Sequence, residues 1–162
     1  MENVRKILKT PLGDMLIEAS CIGLTRLDLI ETRAKNSTHK NPKAEKILLK
    51  TERQLEEYFQ GKRKEFTIPL DLKGTEFQMQ VWSQLQKIPY GSLCSYKDIA
   101  KNINNANATR AVGSANGKNP ICIILACHRV ITSSGYLGGY SGGLHFKKKL
   151  LMLEGSYKSV KN

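Results

Sequence analysis

Acidic residues are scarce in this chain. Its 162 residues contain 14 Asp and Glu against 26 Lys and Arg, which gives a formal net charge of +12 at pH 7. Such a balance disfavours a cationic partner and favours an acidic one, most simply a nucleic acid. A chain of this length can bury a core as one domain or as two small ones.

Long apolar runs are also missing. The longest, residues 121–127, is far shorter than the roughly 20 residues that a membrane-spanning helix needs. The N-terminus shows no apolar signal segment. We therefore expect no membrane association and a cytoplasmic location, or a nuclear one in a eukaryote.

Cysteines are few and are not arranged as a framework. None of the four has CxxC spacing to another, so we expect reduced thiols. A zinc site built from Cys122, Cys127, His128 and His145 is conceivable, but no recognised ligand spacing supports it. We expect neither a metal nor a cofactor.

The first half of the chain alternates between strand and helix patterns. Period-two alternation predicts strands, polar stretches predict loops, and apolar residues at helical spacing predict a helix that Gly61 terminates. In chain order, the predictions are two strands within 13–30 around a turn at 21–23, a loop at 31–42, a helix from Ala44 to Phe59, and a short strand at 66–70. A charged stretch with Pro69 and Gly74 then predicts a domain boundary between residues 73 and 74.

The second half is predicted to be mostly helical. Thr75 and Gln78 form a capping-box pattern, and Ser95 with Asp98 marks the start of another helix. A polar turn at 104–107 leads to a third helix with apolar positions at 108, 111, 112 and 115, so the pair reads as helix-turn-helix. The exposed side of that helix carries small residues around Arg110, which suits close approach to a surface, although a weak surface helix would show the same residues.

One short segment carries reactive side chains. Cys127, His128 and Arg129 follow the apolar run at 121–125, which we predict to be a buried strand. Positive charge and a neighbouring base lower the pKa of a thiol and make it nucleophilic. The alternative is an inert core cysteine followed by two surface residues.

Several motifs in one order resemble the O6-alkylguanine-DNA alkyltransferase family. These motifs lie between Phe77 and Glu154: Ile88-Pro89-Tyr90-Gly91, Ser95-Tyr96, Arg110-Ala111-Val112-Gly113, Asn119-Pro120, Ala126-Cys127-His128-Arg129-Val130-Ile131, Ser134-Gly135 and Gly138-Gly139-Tyr140-Ser141-Gly142-Gly143. The first half matches only in length and general pattern. Two positions depart from the family, because Ala126 and Cys122 stand where it usually has proline.

The resemblance implies an α/β fold and a function. Residues 1–73 are expected to form a structural α/β domain like ribonuclease H, and residues 74–162 a mostly helical DNA-binding domain with a winged helix-turn-helix. The implied function is direct-reversal repair, in which the alkyl group of O6-alkylguanine, or of O4-alkylthymine, moves irreversibly to Cys127 after base flipping. The implied partner is damaged double-stranded DNA, bound by a monomer that acts once.

The resemblance also implies roles for individual residues. Cys127 is the nucleophile, His128 its base, Glu154 the group that orients His128, and Tyr96 a donor to the base. Contacts to DNA are expected from Arg110, Tyr96, Ala111, Gly113, Ser114, Asn116 and Lys118. The base pocket is expected to include Val130, Tyr140, Ser141, Gly142 and the hinge residue Asn119.

Three other functions remain open at this point. An alkyltransferase-like protein would bind lesions without removing the alkyl group, but such proteins lack the nucleophilic cysteine of this motif. A DNA-binding regulator would not need Cys127 and His128 together with the glycine-rich stretch at 138–143, which we call the glycine loop. A thiol hydrolase would leave the helix of small residues unexplained.

Overall fold

The computed structural model describes residues 2–30 and 34–161. The chain divides into two compact units, residues 1–72 and residues 73–162. The first unit combines a sheet with a helix, and the second is mostly helical, as the sequence predicts. Within the described residues, no helix combines the length and the apolar character that crossing a membrane requires.

An antiparallel sheet with strand order β1-β2-β3 and one helix make up the first unit. Its elements are β1 (Val4–Thr10), β2 (Gly13–Ala19), β3 (Leu24–Leu29) and α1 (Pro42–Phe59). The two predicted strands within 13–30 are confirmed, whereas no sequence pattern indicated β1. Strand β1 was missed because Lys6 stands between buried Val4 and Leu8, where an alternating pattern would have an apolar residue. The Lys6 side chain pairs with Glu52 of α1 at 2.6 Å.

Helix α1 starts two residues before its predicted beginning. The Asn41 side chain accepts a hydrogen bond from the amide of Ala44, and Pro42 occupies the first turn, where its missing N–H costs nothing. Residues 31–33 of the predicted loop lie outside the described ranges. Gly61 follows the helix with φ +75°, a conformation that glycine adopts without strain.

The predicted strand at 66–70 is wrong. Only a single bridge joins Leu70 to Leu24, because Pro69 has no N–H to continue a ladder. The carbonyl of Pro69 accepts from the amide of Leu24 at 2.8 Å. A Cβ on Gly23 would lie 2.7 Å from backbone atoms of Pro69 and Leu70, so this crossing requires glycine.

Helices dominate the second unit. Its elements are α2 (Glu76–Lys87), β4 (Cys94–Ser95), α3 (Tyr96–Asn102), α4 (Thr109–Gly117), β5 (Val130–Ile131) and α5 (Leu144–Leu153). The capping box predicted at Thr75 and the helix start predicted at Ser95 are both present, and Ser95 forms a capping box with Asp98 as well; α2 ends before Pro89. Helices α3 and α4 lie where the helix-turn-helix was predicted; the winged form of that motif stays a prediction.

The segment at 121–125 is a buried turn and not the predicted strand. The amide of Leu125 donates to the carbonyl of Ile121 at 3.0 Å, and Ile123 has φ +72°, which is unusual for a β-branched residue. The Asn119 side chain braces the turn from both sides: its Nδ2 donates to the Leu125 carbonyl at 2.7 Å, and its Oδ1 accepts from the Ile121 amide at 2.9 Å. Apolar content alone does not distinguish a buried turn from a buried strand.

Helix α2 holds α4 through one buried hydrogen bond. Trp82, the only tryptophan, is 3% exposed, and its Nε1 donates to the carbonyl of Ala115 at 2.9 Å. Val112 and Ala115 face the core as predicted, but Ala111 is exposed. Val112 and Ala115 are three residues apart and lie on the buried face of α4, whereas Ala111 lies outside that face.

We predict that Trp82→Phe destabilises the protein by about 1–3 kcal/mol, because it removes the hydrogen bond and leaves the Ala115 carbonyl without that donor. Urea unfolding followed by far-UV circular dichroism measures this change. The control is Gln80→Ala, an exposed position on the same helix, which should alter stability by less than about 0.5 kcal/mol. Equal stability of the two variants would show that the hydrogen bond contributes nothing.

Candidate active site

A cavity of about 460 Å³ opens between α4, the start of α3 and the loop at 139–141. Its size is within the usual range for small-molecule pockets. Several residues that the sequence singled out line it: Tyr96, Arg110, Gly113, Asn116, Tyr140 and Ser141. The structure thus brings predicted DNA-contact residues and predicted base-pocket residues to one opening.

The Cys127 thiol lies at the back of this site. It is 3% exposed, and Tyr140, which lines the cavity, hydrogen-bonds to it together with Asn119. Burial raises the pKa of the Cys127 thiol, whereas the two hydrogen bonds and the charge of Lys147 act in the opposite direction. The thiol is therefore a protonated group at rest, surrounded by donors that stabilise a thiolate once it forms.

Behind the thiol, a buried carboxylate joins His128 to Arg129. Glu154 Oε2 lies 2.8 Å from His128 Nε2. The Arg129 guanidinium donates to both oxygens of Glu154, at 2.7 and 2.9 Å, and to the carbonyl of Ile88 at 2.6 Å. Burial alone would raise the pKa of Glu154, but the hydrogen bonds and charges of His128 and Arg129 hold it well below its usual range.

These contacts define which nitrogen of His128 can act as a base. Burial lowers the pKa of His128, although Glu154 partly opposes this, so the ring is neutral at pH 7. A neutral ring that donates Nε2–H to the Glu154 carboxylate has its lone pair on Nδ1. Nδ1 is buried and has no hydrogen-bond partner among the described residues, and it is the atom available to take a proton.

The sequence did not indicate Lys147. This lysine is 0% exposed, and its ammonium group donates to the carbonyls of Val130 at 2.6 Å, Leu137 at 2.5 Å and Gly139 at 3.2 Å. Burial lowers its pKa to about 8, while the charge of Cys127 acts to raise it. In the sequence Lys147 looked like the first of three surface lysines. Its position next to the apolar residue Phe146 was the one feature that could have indicated a buried side chain.

Tyr96 lines the cavity and lies near enough to the thiol for the two groups to influence each other. Its hydroxyl donates to the Gly139 carbonyl at 3.3 Å, and the Lys147 ammonium lies 5.9 Å from its ring centroid. Burial and then the charge of Cys127 raise the pKa of Tyr96, so the hydroxyl keeps its proton as a donor. A Cβ on Gly138 would lie 3.1 Å from the Tyr96 ring, so the glycine loop packs directly on it.

The remaining predicted residues fall into an exposed group and a buried group. Exposed on α4 or just beyond it are Arg110, Ala111, Ser114 and Lys118. Asn116 is 4% exposed; it lines the cavity and its side chain reaches the hydroxyl of Tyr96, and its contact with DNA stays a prediction.

The other pocket residues are held in the glycine loop and the strand beside it. The side chain of Val130 is buried and its carbonyl is used by Lys147. Gly142 packs on Tyr140, because a Cβ there would lie 2.9 Å from that ring. The described residues contain no group of three His, Cys, Asp or Glu side chains placed to hold a metal ion, so the four side chains considered for zinc do not converge.

Comparison with known proteins identifies the family. The ribonuclease-like domain of 6-O-methylguanine DNA methyltransferase matches residues 3–72, and the DNA binding domain of the same protein matches residues 76–156. The chain belongs to the 6-O-methylguanine DNA methyltransferase family. The predicted resemblance is confirmed, and it extends over the first half, where the motifs had given no specific match.

Individual relatives cover nearly the whole chain. The methylated-DNA–protein-cysteine methyltransferase of Methanosarcina acetivorans is 44% identical over 151 residues, which are 93% of this chain and 97% of that protein. The Mycobacterium bovis protein of the same name is also 44% identical, over 93% of this chain and 92% of its own. The crystal structure of Mycobacterium tuberculosis OGT in complex with DNA superposes with a TM-score of 0.81 at 42% identity, covering 96% of this chain and 94% of that one.

We predict that acid destabilises the protein in two steps. Unfolded histidine gains a proton near its ordinary pKa of 6.5, but folded His128 does not, so the free energy of unfolding falls as the pH drops below 6.5. Ionised Glu154 contributes stability above its ordinary pKa of 4.5, and that contribution is lost as the pH falls from 4.5 towards its lower folded pKa. Urea unfolding between pH 3 and pH 8 measures both steps.

The variant for comparison is Glu154→Gln, which keeps the shape of the side chain and removes its charge. At pH 7 it should be less stable by about 3–5 kcal/mol, because Arg129 remains buried without a counter-charge. Its stability should also depend less on pH below 4.5. A variant that kept the full dependence of the wild type would show that other carboxylates cause the acid loss.

Proposed function

We propose that this protein repairs alkylated DNA by moving the alkyl group from O6 of guanine, and from O4 of thymine where the pocket accepts it, to its own Cys127. The observation that carries the proposal is the buried Cys127 thiol. It lies beside Tyr140, which lines an open cavity and lowers the pKa of the thiol, and it follows a turn that Asn119 braces. Family relatives that are named methylated-DNA–protein-cysteine methyltransferases support it.

The reaction is a single displacement at carbon. Nδ1 of His128 receives the thiol proton, directly or through water, and the Cys127 sulfur attacks the alkyl carbon. The C–O bond breaks, its electron pair returns to O6, and guanine regains a proton at N1, which balances the proton lost by the thiol. Lys147, Tyr140 and Asn119 stabilise the sulfur anion while it forms.

The product on the protein is a thioether. Because a thioether is a poor leaving group, the alkyl group stays on Cys127 and each molecule acts once. An alkyltransferase-like binder, which also recognises lesions, lacks a nucleophile in this motif, whereas this chain has Cys127. The chemistry calls for no metal and no organic cofactor.

The alkylated base has to leave the duplex to reach the thiol, at a cost of a few kcal/mol. Helix α4 presents Gly113 and Ser114 beside Arg110, so its backbone can approach the minor groove closely while one long cation projects. We assign Arg110 to the place that the flipped base vacates. We assign the donor that holds the flipped base to the hydroxyl of Tyr96.

The proposal extends to organisation and location. Residues 74–162 bind DNA and carry out transfer as a monomer, and residues 1–73 act as structural support. The described cysteines are free of disulfides, as in reducing compartments, which supports a cytoplasmic location, or a nuclear one in a eukaryote.

We expect Cys127→Ser to abolish transfer and to keep DNA binding, since binding depends on charge and on α4. Intact-protein mass after incubation with methylated duplex measures transfer: the wild type gains one methylene equivalent per molecule, and the variant gains none. Cys94→Ser is the matched control and should react like the wild type. Methylation of the Cys127→Ser variant would refute Cys127 as the acceptor.

We expect Arg110→Ala to reduce repair of duplex DNA by at least about tenfold and to leave reaction with a free O6-alkylated guanine base nearly unchanged. Arg110 is needed to keep the base out of the helix and not to break the bond. Single-turnover rates on the two substrates measure the difference, with Lys118→Ala as a control for the loss of one cation near α4. Equal losses on both substrates would contradict the role of Arg110.

A further inference from the structure

Positive charge in the second unit extends well beyond the lesion cavity. Residues 73–162 contain 12 Lys and Arg against three Asp and Glu, and residues 99–162 contain a single acidic residue, Glu154. Glu154 is buried against Arg129 and His128. From residue 99 to residue 161 the described surface therefore presents exposed cations and no exposed acidic side chain.

These cations lie in two places. Lys101, Arg110 and Lys118 are exposed on α3, on α4 and just after α4. Four others, which we call the C-terminal lysine patch, lie on α5 and the segment after it: Lys148, Lys149, Lys158 and Lys161. The proposed role of α4 does not account for this second group.

The fold turns the patch outward and keeps it in position. Successive residues of a helix point about 100° apart, so Lys147, which is turned into the site, leaves Lys148 and Lys149 on the outer face of α5. The Lys148 ammonium lies 5.1 Å from the ring centroid of Tyr157. Val160 packs into the core with Ile131 and Leu151, which anchors the segment that carries Lys158 and Lys161.

The patch is close to the lesion cavity along one short loop. The amide of Lys161 donates to the carbonyl of Gly135 at 2.8 Å, and Tyr136 forms a bridge with Lys161. Tyr140, which lines the cavity, is four residues further along. Four residues span at most about 14 Å, which is about four base-pair steps of 3.4 Å. A duplex with its lesion at the cavity can therefore extend as far as the Lys161 end of the patch.

We propose that the C-terminal lysine patch binds backbone phosphates of the same duplex, on the flank of the lesion next to the glycine loop. The inference rests on the proposed function, since it takes the cavity as the lesion site. The patch adds affinity that does not depend on sequence, and it restricts how the duplex lies across the cavity. Charge complementarity selects the occupant: four exposed lysines, in a stretch of described residues (99–161) that has no exposed acidic side chain, fit a polyanion.

The test compares two variants of equal net charge. One carries Lys148→Gln, Lys149→Gln, Lys158→Gln and Lys161→Gln. The matched control carries Lys35→Gln, Lys40→Gln, Lys43→Gln and Lys46→Gln, four exposed lysines of the first unit. Affinity for a methylated duplex is measured by fluorescence anisotropy at several salt concentrations, in the Cys127→Ser background so that no transfer occurs.

We expect the patch variant to reduce the steepness of log affinity against log salt by about 2–4, since each phosphate contact contributes about 0.9. The control should change it by less than about 1. Lengthening the duplex by about ten base pairs on the loop side should tighten binding by the wild type and the control but not by the patch variant. Equal salt dependence of the two variants would overturn the proposal.

Two further measurements separate phosphate binding by the patch from a loss of transfer chemistry and from self-association. With Cys127 present, transfer from a free O6-alkylated guanine base should proceed at the same rate in both variants. If neither the wild type nor the variants transferred the alkyl group, the proposed function itself would fail, whatever the lysine patch does.

Leu144 and Met152 are exposed at 50% and 58% at the two ends of the same face of α5. The remaining outcome is that the wild type self-associates in a concentration-dependent way while the patch variant does not, with the same DNA affinity in both. That result would assign the face to a second copy of the chain and overturn the proposal.

Discussion

The buried carboxylate of Glu154 holds the catalytic end of this molecule together. Its two oxygens satisfy both Nε2 of His128 and the guanidinium of Arg129, and Arg129 continues to the Ile88 carbonyl at the end of α2. A buried carboxylate alone would be very costly, and so would a buried guanidinium. Each is stable only because the other is present, so the end of α2, the short turn at 127–129 and the end of α5 have one permitted arrangement.

The same network determines how the thiol can react. Because Glu154 accepts Nε2–H, the basic nitrogen of His128 is Nδ1, and because the site is buried, the ring is neutral at pH 7. Burial also keeps a proton on Cys127. In the proposed reaction, the starting state is therefore a neutral thiol and a neutral imidazole, and charge develops only as the proton leaves. Tyr140, Asn119 and Lys147 already lie where that charge would form, and preorganised groups of this kind lower a barrier effectively.

The sequence predicted those features that depend on local patterns. The capping box at Thr75, the helix start at Ser95 and the helix ending at Phe59 are all short-range signals, and the structure contains each of them. Three features depended on side-chain contacts that the pattern of neighbouring residues does not show, and they were missed or wrong. Strand β1 was hidden by Lys6, which is explained only by Glu52 46 residues away. The turn at 121–125 is braced by the side chain of Asn119, a contact that its apolar residues do not reveal. Lys147 has no local mark that separates it from Lys148, because what distinguishes it is the set of carbonyls that surround its ammonium group.

The placement of Glu154 also bears on the outer surface. A molecule that holds a polyanion gains from a field of one sign, and each exposed carboxylate near the contact would weaken that field. The proposed reaction nevertheless needs one carboxylate to orient His128. The fold meets both demands by burying that carboxylate beside Arg129, where its charge is compensated within about 3 Å and does not reach the solvent. Under the proposed function, the scarcity of acidic residues beyond residue 98 and the buried ion pair serve the same end, because together they orient His128 without placing an exposed negative charge near the substrate.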